Sequence, residues 1–288
     1  MPDQPTTIEL PYFPPYDWAG LADFLRVRTL KGVEWVSDDA YLRTAALAAR
    51  RGWIRVRPAP EKSALHVEIS ASLAPCVTAV TQRLAHLFDL SARPEQINTA
   101  LKKDPLLRAR IAGAPGLRVP GAFDGFELAV RAILGQQITV KAATTLGGRF
   151  VEAFGEPLET PFPELLRLSP PPEKIAALAI PDIASLGIIR TRAGSILAVA
   201  EACASGRLKL EPGADPAATM GQLTALPGIG PWTAHYIAMR ALCWPDAFPK
   251  EDIAVRNNLG GVTPKQAEVI SQRWRPWRSY AVLHVWRH

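Results

Sequence analysis

The stretch LPGIGPWTAHYIAMRALCWPDAFPKEDIAVRNN, running from Leu226 to Asn258, constrains the architecture more than any other part of this 288-residue chain. Apolar residues before it have helical spacing, Pro227-Gly228-Ile229-Gly230 reads as a tight turn, and Pro231 stands where a first helical residue is favoured. The pattern predicts a helix, a hairpin and a second helix over about residues 217–243. The glycines let successive backbone N–H groups face outward, and the second helix adds its positive N-terminal end, so the turn can hold a phosphate. Such a grip on a nucleic-acid backbone is independent of base sequence. A bare Gly-x-Gly serves equally well as a simple helix–helix connection, and it is the longer string LPGIGPWTA that adds signal.

Along the rest of the chain the periodicity changes once. Trp18 to Leu30 has helical spacing, whereas YLRTAALAAR, GWIRVRP and ALHVEIS have strand composition separated by Arg51-Gly52 and by PAPEKS. An antiparallel sheet with a helix or two is expected there. From Pro75 onward the spacing is helical, broken by the Pro-rich ETPFPELLRLSPPPEK. The expected fold is mainly α, with an N-terminal α+β domain over residues 1–90 and a helical body of two subdomains over residues 91–288. Hinges are expected near Leu90 and between Gly113 and Gly121, where GAPGLRVPG is dense in Gly and Pro.

Nearly half the residues are apolar, enough to bury real cores, and no repeat of 20 to 50 residues argues for a solenoid. The net charge of +6 is spread along the chain and is compatible with a polyanion-binding face. Cys76, Cys203 and Cys243 lie far apart, which disfavours a disulfide framework, a zinc site or an iron–sulfur cluster. His66, His86, His235, His284 and His288 show no paired spacing. No window approaches the roughly 20 apolar residues of a membrane span and no signal segment opens the chain, so a cytoplasmic protein without membrane contact is expected.

The string LPGIGPWTAHY with an aspartate 20 residues after Trp232 resembles the helix-hairpin-helix DNA glycosylase superfamily, specifically its bacterial 3-methyladenine DNA glycosylase II (AlkA-type) family. The likeness extends through PPYDW (Pro14–Trp18), LFDL (Leu87–Leu90), PGLRVPG (Pro115–Gly121), RAILGQQ (Arg131–Gln137) and WRPWRSYAVLHVW (Trp274–Trp286). It implies a monomeric repair enzyme that acts on duplex DNA carrying alkylated bases, flips the damaged base out and hydrolyses its N-glycosidic bond, with no required cofactor.

By its residue type and place before an apolar run, Asp252 is an N-cap for the helix IAVRNNL, and equally a fixed carboxylate. The resemblance implies that it is the catalytic aspartate, an anion beside C1′ that stabilises oxocarbenium character and orients water. Glu251 resembles the family's second acidic position, as a supporting or a solvated acid. Trp232 and Tyr236, four apart on one helical face, read as core or as an aromatic pocket, and the resemblance implies the pocket, together with Trp286, Phe24 and Gln136. It also implies DNA contacts at Gly228, Ile229, Gly230 and Gln137, and a Na+ or K+ ion held by the backbone carbonyls of Thr224, Leu226 and Ile229.

Bifunctional members carry a Schiff-base lysine just after the second hairpin glycine, whereas this chain places Trp232 in that slot, which implies a monofunctional enzyme. Two departures stand out. Gln137 occupies the tip of the GQQ turn where a leucine wedge is familiar, and Ile253 replaces a pocket tyrosine. Arg118, Arg131, Lys141, Arg190 and Arg192 are basic side chains available to phosphates. The competing readings are a glycosylase with lyase activity and a non-enzymatic DNA-binding module.

Overall fold

The computed structural model describes residues 4–287, so His288 lies outside the described residues. Its N-terminal layer is a five-stranded antiparallel sheet of order β1-β5-β4-β3-β2, formed by β1 (Thr6–Pro11), β2 (Glu34–Val36), β3 (Tyr41–Leu47), β4 (Arg50–Ala59) and β5 (Ala64–Ile69). Alternation in β4 and β5 buries Ile54, Val56, Leu65, Val67 and Ile69 against α1 (Trp18–Arg26) and α2 (Val77–Leu87). β1 and β2 were not anticipated, because TTIELP carries little β-branched apolar content and β2 is three residues long.

The helical body contains α3 (Pro94–Leu101), α4 (Pro105–Gly113), α5 (Gly125–Leu134), α6 (Val140–Phe154), α7 (Pro172–Ala176), α8 (Ile180–Ala184), α9 (Arg190–Ala204), α10 (Pro216–Thr224), α11 (Pro231–Ala241), α12 (Ile253–Asn258), α13 (Pro264–Ser271) and α14 (Arg278–Trp286). A short ladder of β6 (Glu156–Pro157) and β7 (Arg167–Leu168) crosses the Pro-rich loop. Caps explain many of the starts. Asp104 accepts from Leu106 N, Asp124 from Glu127 N, Thr139 from Ala142 N and Asp215 from Ala217 N, each satisfying an orphan first-turn donor. Asp104 and Pro105 also divide EQINTALKKDPLLRARI into two helices.

The body holds two cores. One joins α5, α6 and α9 through Ile133, Phe150, Ile196 and Val199, and the other joins α3, α4, α13 and α14 through Leu101, Ile111, Ala267 and Val282. Helix α11 belongs to both, giving Ala234, Ile237 and Ala241 to the first and Ala238 and Met239 to the second. A helix apolar on two sides can sit only between two packed layers.

Two features tie the sheet to this body. A buried network joins Glu34 and Arg43 of the sheet to Glu127 and Arg131 of α5. Arg131 Nη1 lies 2.8 Å from Glu34 and 3.3 Å from Glu127, Arg43 Nη2 lies 3.0 Å from Glu127, and the Tyr41 hydroxyl donates to Glu34 at 2.6 Å. Burial would raise the Glu34 carboxyl, but the guanidiniums of Arg131 and Arg43 outweigh it and hold it well below the usual carboxylate range.

The second tie is the segment Pro115–Gly121, which is pinned rather than hinged. Gly116 O accepts from Asp17 N, Gly121 N donates to Leu87 O, and Arg240 of α11 donates to the carbonyls of Pro120 and Gly121. A side chain at Gly121 would meet the His86 carbonyl at 2.4 Å, so glycine here serves close approach. Arg118 is buried and donates to the carbonyls of Phe13 and Pro15, and Arg131 is spent on carboxylates, so neither is free for a phosphate. Lys141 and Arg190 are exposed.

Among the described residues no helix is long and apolar enough to cross a membrane.

Removing one carboxylate from the network leaves two buried guanidiniums undercompensated. Glu127→Ala is expected to cost about 3–5 kcal/mol in urea unfolding. Asp89, buried between Val119 N and the Tyr280 hydroxyl, gives a pH test. Burial pushes its carboxyl from 3.8 up to about 6, so the folded state holds the proton more tightly and stability is lost as pH rises through that window. Asp89→Asn, which stays neutral, is expected to exceed the parent by up to about 3 kcal/mol at pH 7, with the advantage shrinking below pH 4 in denaturation curves.

Candidate active site

A cavity of about 590 Å³ opens at the seam between the two helical cores, within the size range of small-molecule sites. Its walls include Trp232 and Tyr236 of α11, Asp252, Asn257 and Asn258 around α12, Trp286 of α14, and Arg28, Arg131 and Arg240.

Asp252 is the N-cap of α12. Its Oδ1 accepts from Val255 N at 2.8 Å and from Trp286 Nε1 at 3.1 Å, and its Oδ2 accepts from Trp232 Nε1 at 2.8 Å. A carboxylate oxygen has two lone-pair sites, so Oδ1 is fully used and Oδ2 keeps one open toward the cavity. The carboxylate is 91% buried and gripped from three sides, which fixes its plane without neutralising it by an ion pair. The cap and the fixed carboxylate are thus one and the same group.

The aromatic walls are ordered by stacking. Trp232 and Tyr236 have ring centroids 5.4 Å apart at 13°, and Tyr236 meets Trp286 at 6.4 Å. Arg240 Nη1 donates to the Tyr236 hydroxyl at 2.8 Å. Burial would push the Tyr236 phenol up, but the charges of Arg240 and Arg28 outweigh it and hold the phenol below its ordinary value.

Two expected wall residues lie outside the cavity. Phe24 stacks behind Trp286 at 6.4 Å and carries the guanidinium of Arg28 over its ring at 3.8 Å, so it backs the wall without facing the space. Gln136 turns away, and its Nε2 donates to Gly228 O at 3.0 Å and to Thr233 Oγ1 at 2.9 Å. Ile253 is 67% exposed on the outer side of α12 and is not part of the wall. Glu251 has a buried Oε2 with no hydrogen-bond partner, and it too stands outside the cavity.

Wall residues missed in the sequence include Arg28, Arg240, Asn257 and Asn258. Arg240 sits four residues after Tyr236 on the same face of α11, a spacing that carried its signal.

The hairpin lies beside the cavity. Gly228 has φ +73°, a left-handed conformation that favours glycine, and Gly230 has ordinary geometry with open space where a Cβ would stand. Both are exposed, while Ile229 is 4% exposed and plugs the first core. No side chain caps α11, which leaves its first-turn N–H groups open at the hairpin. Next to it the turn from α5 to α6 raises Gln137, exposed and at φ +55°.

Among the described residues the carbonyls of Thr224 and Ile229 accept no hydrogen bond, and Leu226 O accepts from Ile229 N at 3.3 Å. Three carbonyls on one turn with unused lone pairs fit a hard monovalent cation.

Comparison with known proteins agrees with this architecture. Residues 7–124 match the model of the AlkA N-terminal domain, and residues 130–278 match that of the HhH-GPD superfamily base excision DNA repair proteins. The chain is 38% identical over 274 residues to DNA-3-methyladenine glycosylase 2 of Escherichia coli, covering 95% of this chain and 94% of that one. It is 40% identical over 287 residues to a probable bifunctional transcriptional activator/DNA repair enzyme AlkA of Mycobacterium tuberculosis, 97% of this chain but 56% of that protein's length. The fold matches a 3-methyladenine DNA-glycosylase from Archaeoglobus fulgidus with a TM-score of 0.82 at 22% identity, covering 98% of this chain and 97% of that one. Sheet, hairpin, cavity and sequence agree, and the chain belongs to the HhH-GPD superfamily of base excision DNA repair proteins, as a DNA glycosylase.

Proposed function

We propose that this enzyme is a monofunctional glycosylase that flips an alkylated base, such as 3-methyladenine, out of duplex DNA and hydrolyses its N-glycosidic bond. The observation that carries the reading is Asp252, a buried carboxylate with one open lone pair in an aromatic cavity beside the hairpin.

A base alkylated on a ring nitrogen already bears positive charge, so it leaves without a strong general acid. Trp232 and Tyr236 offer electron-rich faces to that flat cation, worth about 0.5–2 kcal/mol per contact. As the bond from C1′ to the base nitrogen breaks, its electron pair neutralises the base, and Asp252 stabilises the positive charge left on the sugar. A water oxygen then bonds to C1′ while its proton passes to the Asp252 carboxylate. The products are a free base and an abasic site. Among the described residues no lysine lines the cavity, which supports hydrolysis over Schiff-base lyase chemistry.

The duplex is gripped through the open N–H groups of Gly228, Gly230 and the first turn of α11, and Gln137 occupies the gap that the extruded nucleotide leaves. A Na+ or K+ ion on the carbonyls of Thr224, Leu226 and Ile229 would add positive charge beside the bound phosphate. On this reading the protein works on DNA as a monomer in the cytoplasm.

Asn caps a helix as well as Asp, so Asp252→Asn removes the charge and keeps α12. On alkylated duplex DNA it is expected to lower base release about a thousandfold with duplex affinity within a few fold. Release is read by chromatography, and strand nicking on gels before and after alkali. Release at the parental rate would refute the mechanism, and nicking before alkali would establish a lyase. Trp286→Phe keeps the ring but removes one donor to Asp252, and is expected to cost about ten- to a hundredfold in single-turnover rate with little change in binding.

A further inference from the structure

Residue Gln136 is half-buried and lies outside the cavity wall, and its bonding is unusual for a turn. The turn after α5 runs from Gly135 to Thr139, and within it Gln136 N donates to Ile133 O at 3.3 Å. The side chain leaves this local setting and crosses 92 residues of sequence to donate to Gly228 O, and 97 to Thr233 Oγ1. A backbone carbonyl only accepts, so the amino group of the amide must face it, and the direction of the bond is fixed. The carbonyl of Gln136 in turn accepts from the Arg192 guanidinium of α9.

Gly228 is the left-handed residue of the hairpin, and Thr233 is buried in the first turn of α11, next to Trp232. The residue that follows Gln136 is Gln137, held at φ +55° and exposed on the turn between α5 and α6. A non-glycine residue in this region is strained and persists only where its surroundings enforce it. The bonds on either side of the Gln136 peptide supply that enforcement.

We propose that Gln136 is a positioning residue that locks the turn bearing Gln137 onto the helix-hairpin-helix. Gripping the backbone and filling the gap are then the work of one rigid unit. The turn needs no ordering when DNA binds, and the distance between the phosphate site and the gap is set before the encounter. The polar tip matters here, because a carboxamide stacks less strongly than an aliphatic wedge and depends more on being aimed. The inference rests on the reading of the protein as a base-flipping glycosylase.

The test is a double-mutant cycle on affinity for duplex DNA containing a tetrahydrofuran abasic analogue, which needs the gap filled but no chemistry. Base release by the parent protein from alkylated duplex is measured alongside. Gln137→Ala in the parent is expected to weaken binding about tenfold. In a Gln136→Ala background, already about tenfold weaker, the same change is expected to add less than twofold. Gln136→Glu, which keeps the shape but cannot donate to Gly228 O, should behave as Gln136→Ala, with melting temperatures of all variants within about two degrees of the parent. A merely structural role would lower the melting temperature and leave the two effects multiplicative. Multiplicative effects, or a silent Gln136→Glu, overturn the proposal while parental base release upholds the glycosylase reading. A parent protein that releases no base overturns both.

Discussion

Helix α11 has to satisfy two hydrophobic cores at once, and the rest of the molecule is arranged around that constraint. With apolar residues on opposite sides, it fits only between the two helical layers, and its N-terminal end emerges at the seam where they part. Everything the proposed chemistry uses is near that end: the hairpin in front of it, Trp232 and Tyr236 on its first turns, and Asp252 across the gap. The cleft is the line along which two layers share one helix, so its walls are as rigid as the cores behind them.

The sheet is attached to this framework by charges and pinned backbone as well as by small apolar clusters such as Ala40, Leu42 and Leu165. The network of Glu34, Arg43, Glu127 and Arg131 crosses from sheet to α5, and Arg131 also lines the cavity. Arg240 links Tyr236 to the carbonyls of Pro120 and Gly121. The N-terminal layer therefore bears on the site through two arginines that touch both, and the segment between the layers takes part in holding the pocket.

Much of this was legible in the sequence because its signals are local. Two glycines around an isoleucine followed by proline encode the hairpin within four residues, and Asp252 before an apolar run encodes a cap that the structure forms. The aromatic pair at 232 and 236 follows from helical spacing. What was misread depends on distant partners. Gln136 and Phe24 carry no local sign of which way they face, and Arg118 and Arg131 read as surface cations until the carbonyls and carboxylates that bury them are in view. Pro115–Gly121 has the composition of a hinge, but its glycines allow close approach to the neighbouring backbone. Composition cannot separate those two uses of glycine.

The double duty of Asp252 bears on how such a chain can drift. The same carboxylate closes the first turn of α12 and faces the cavity, so on the proposed mechanism a substitution there is judged by folding and by chemistry together. Serine or threonine would satisfy the cap and lose the charge, and glutamate would keep the charge but set it one methylene farther from the helix end. The position is held by two unrelated demands, and the small set of residues meeting both leaves it almost no neutral neighbours in sequence space.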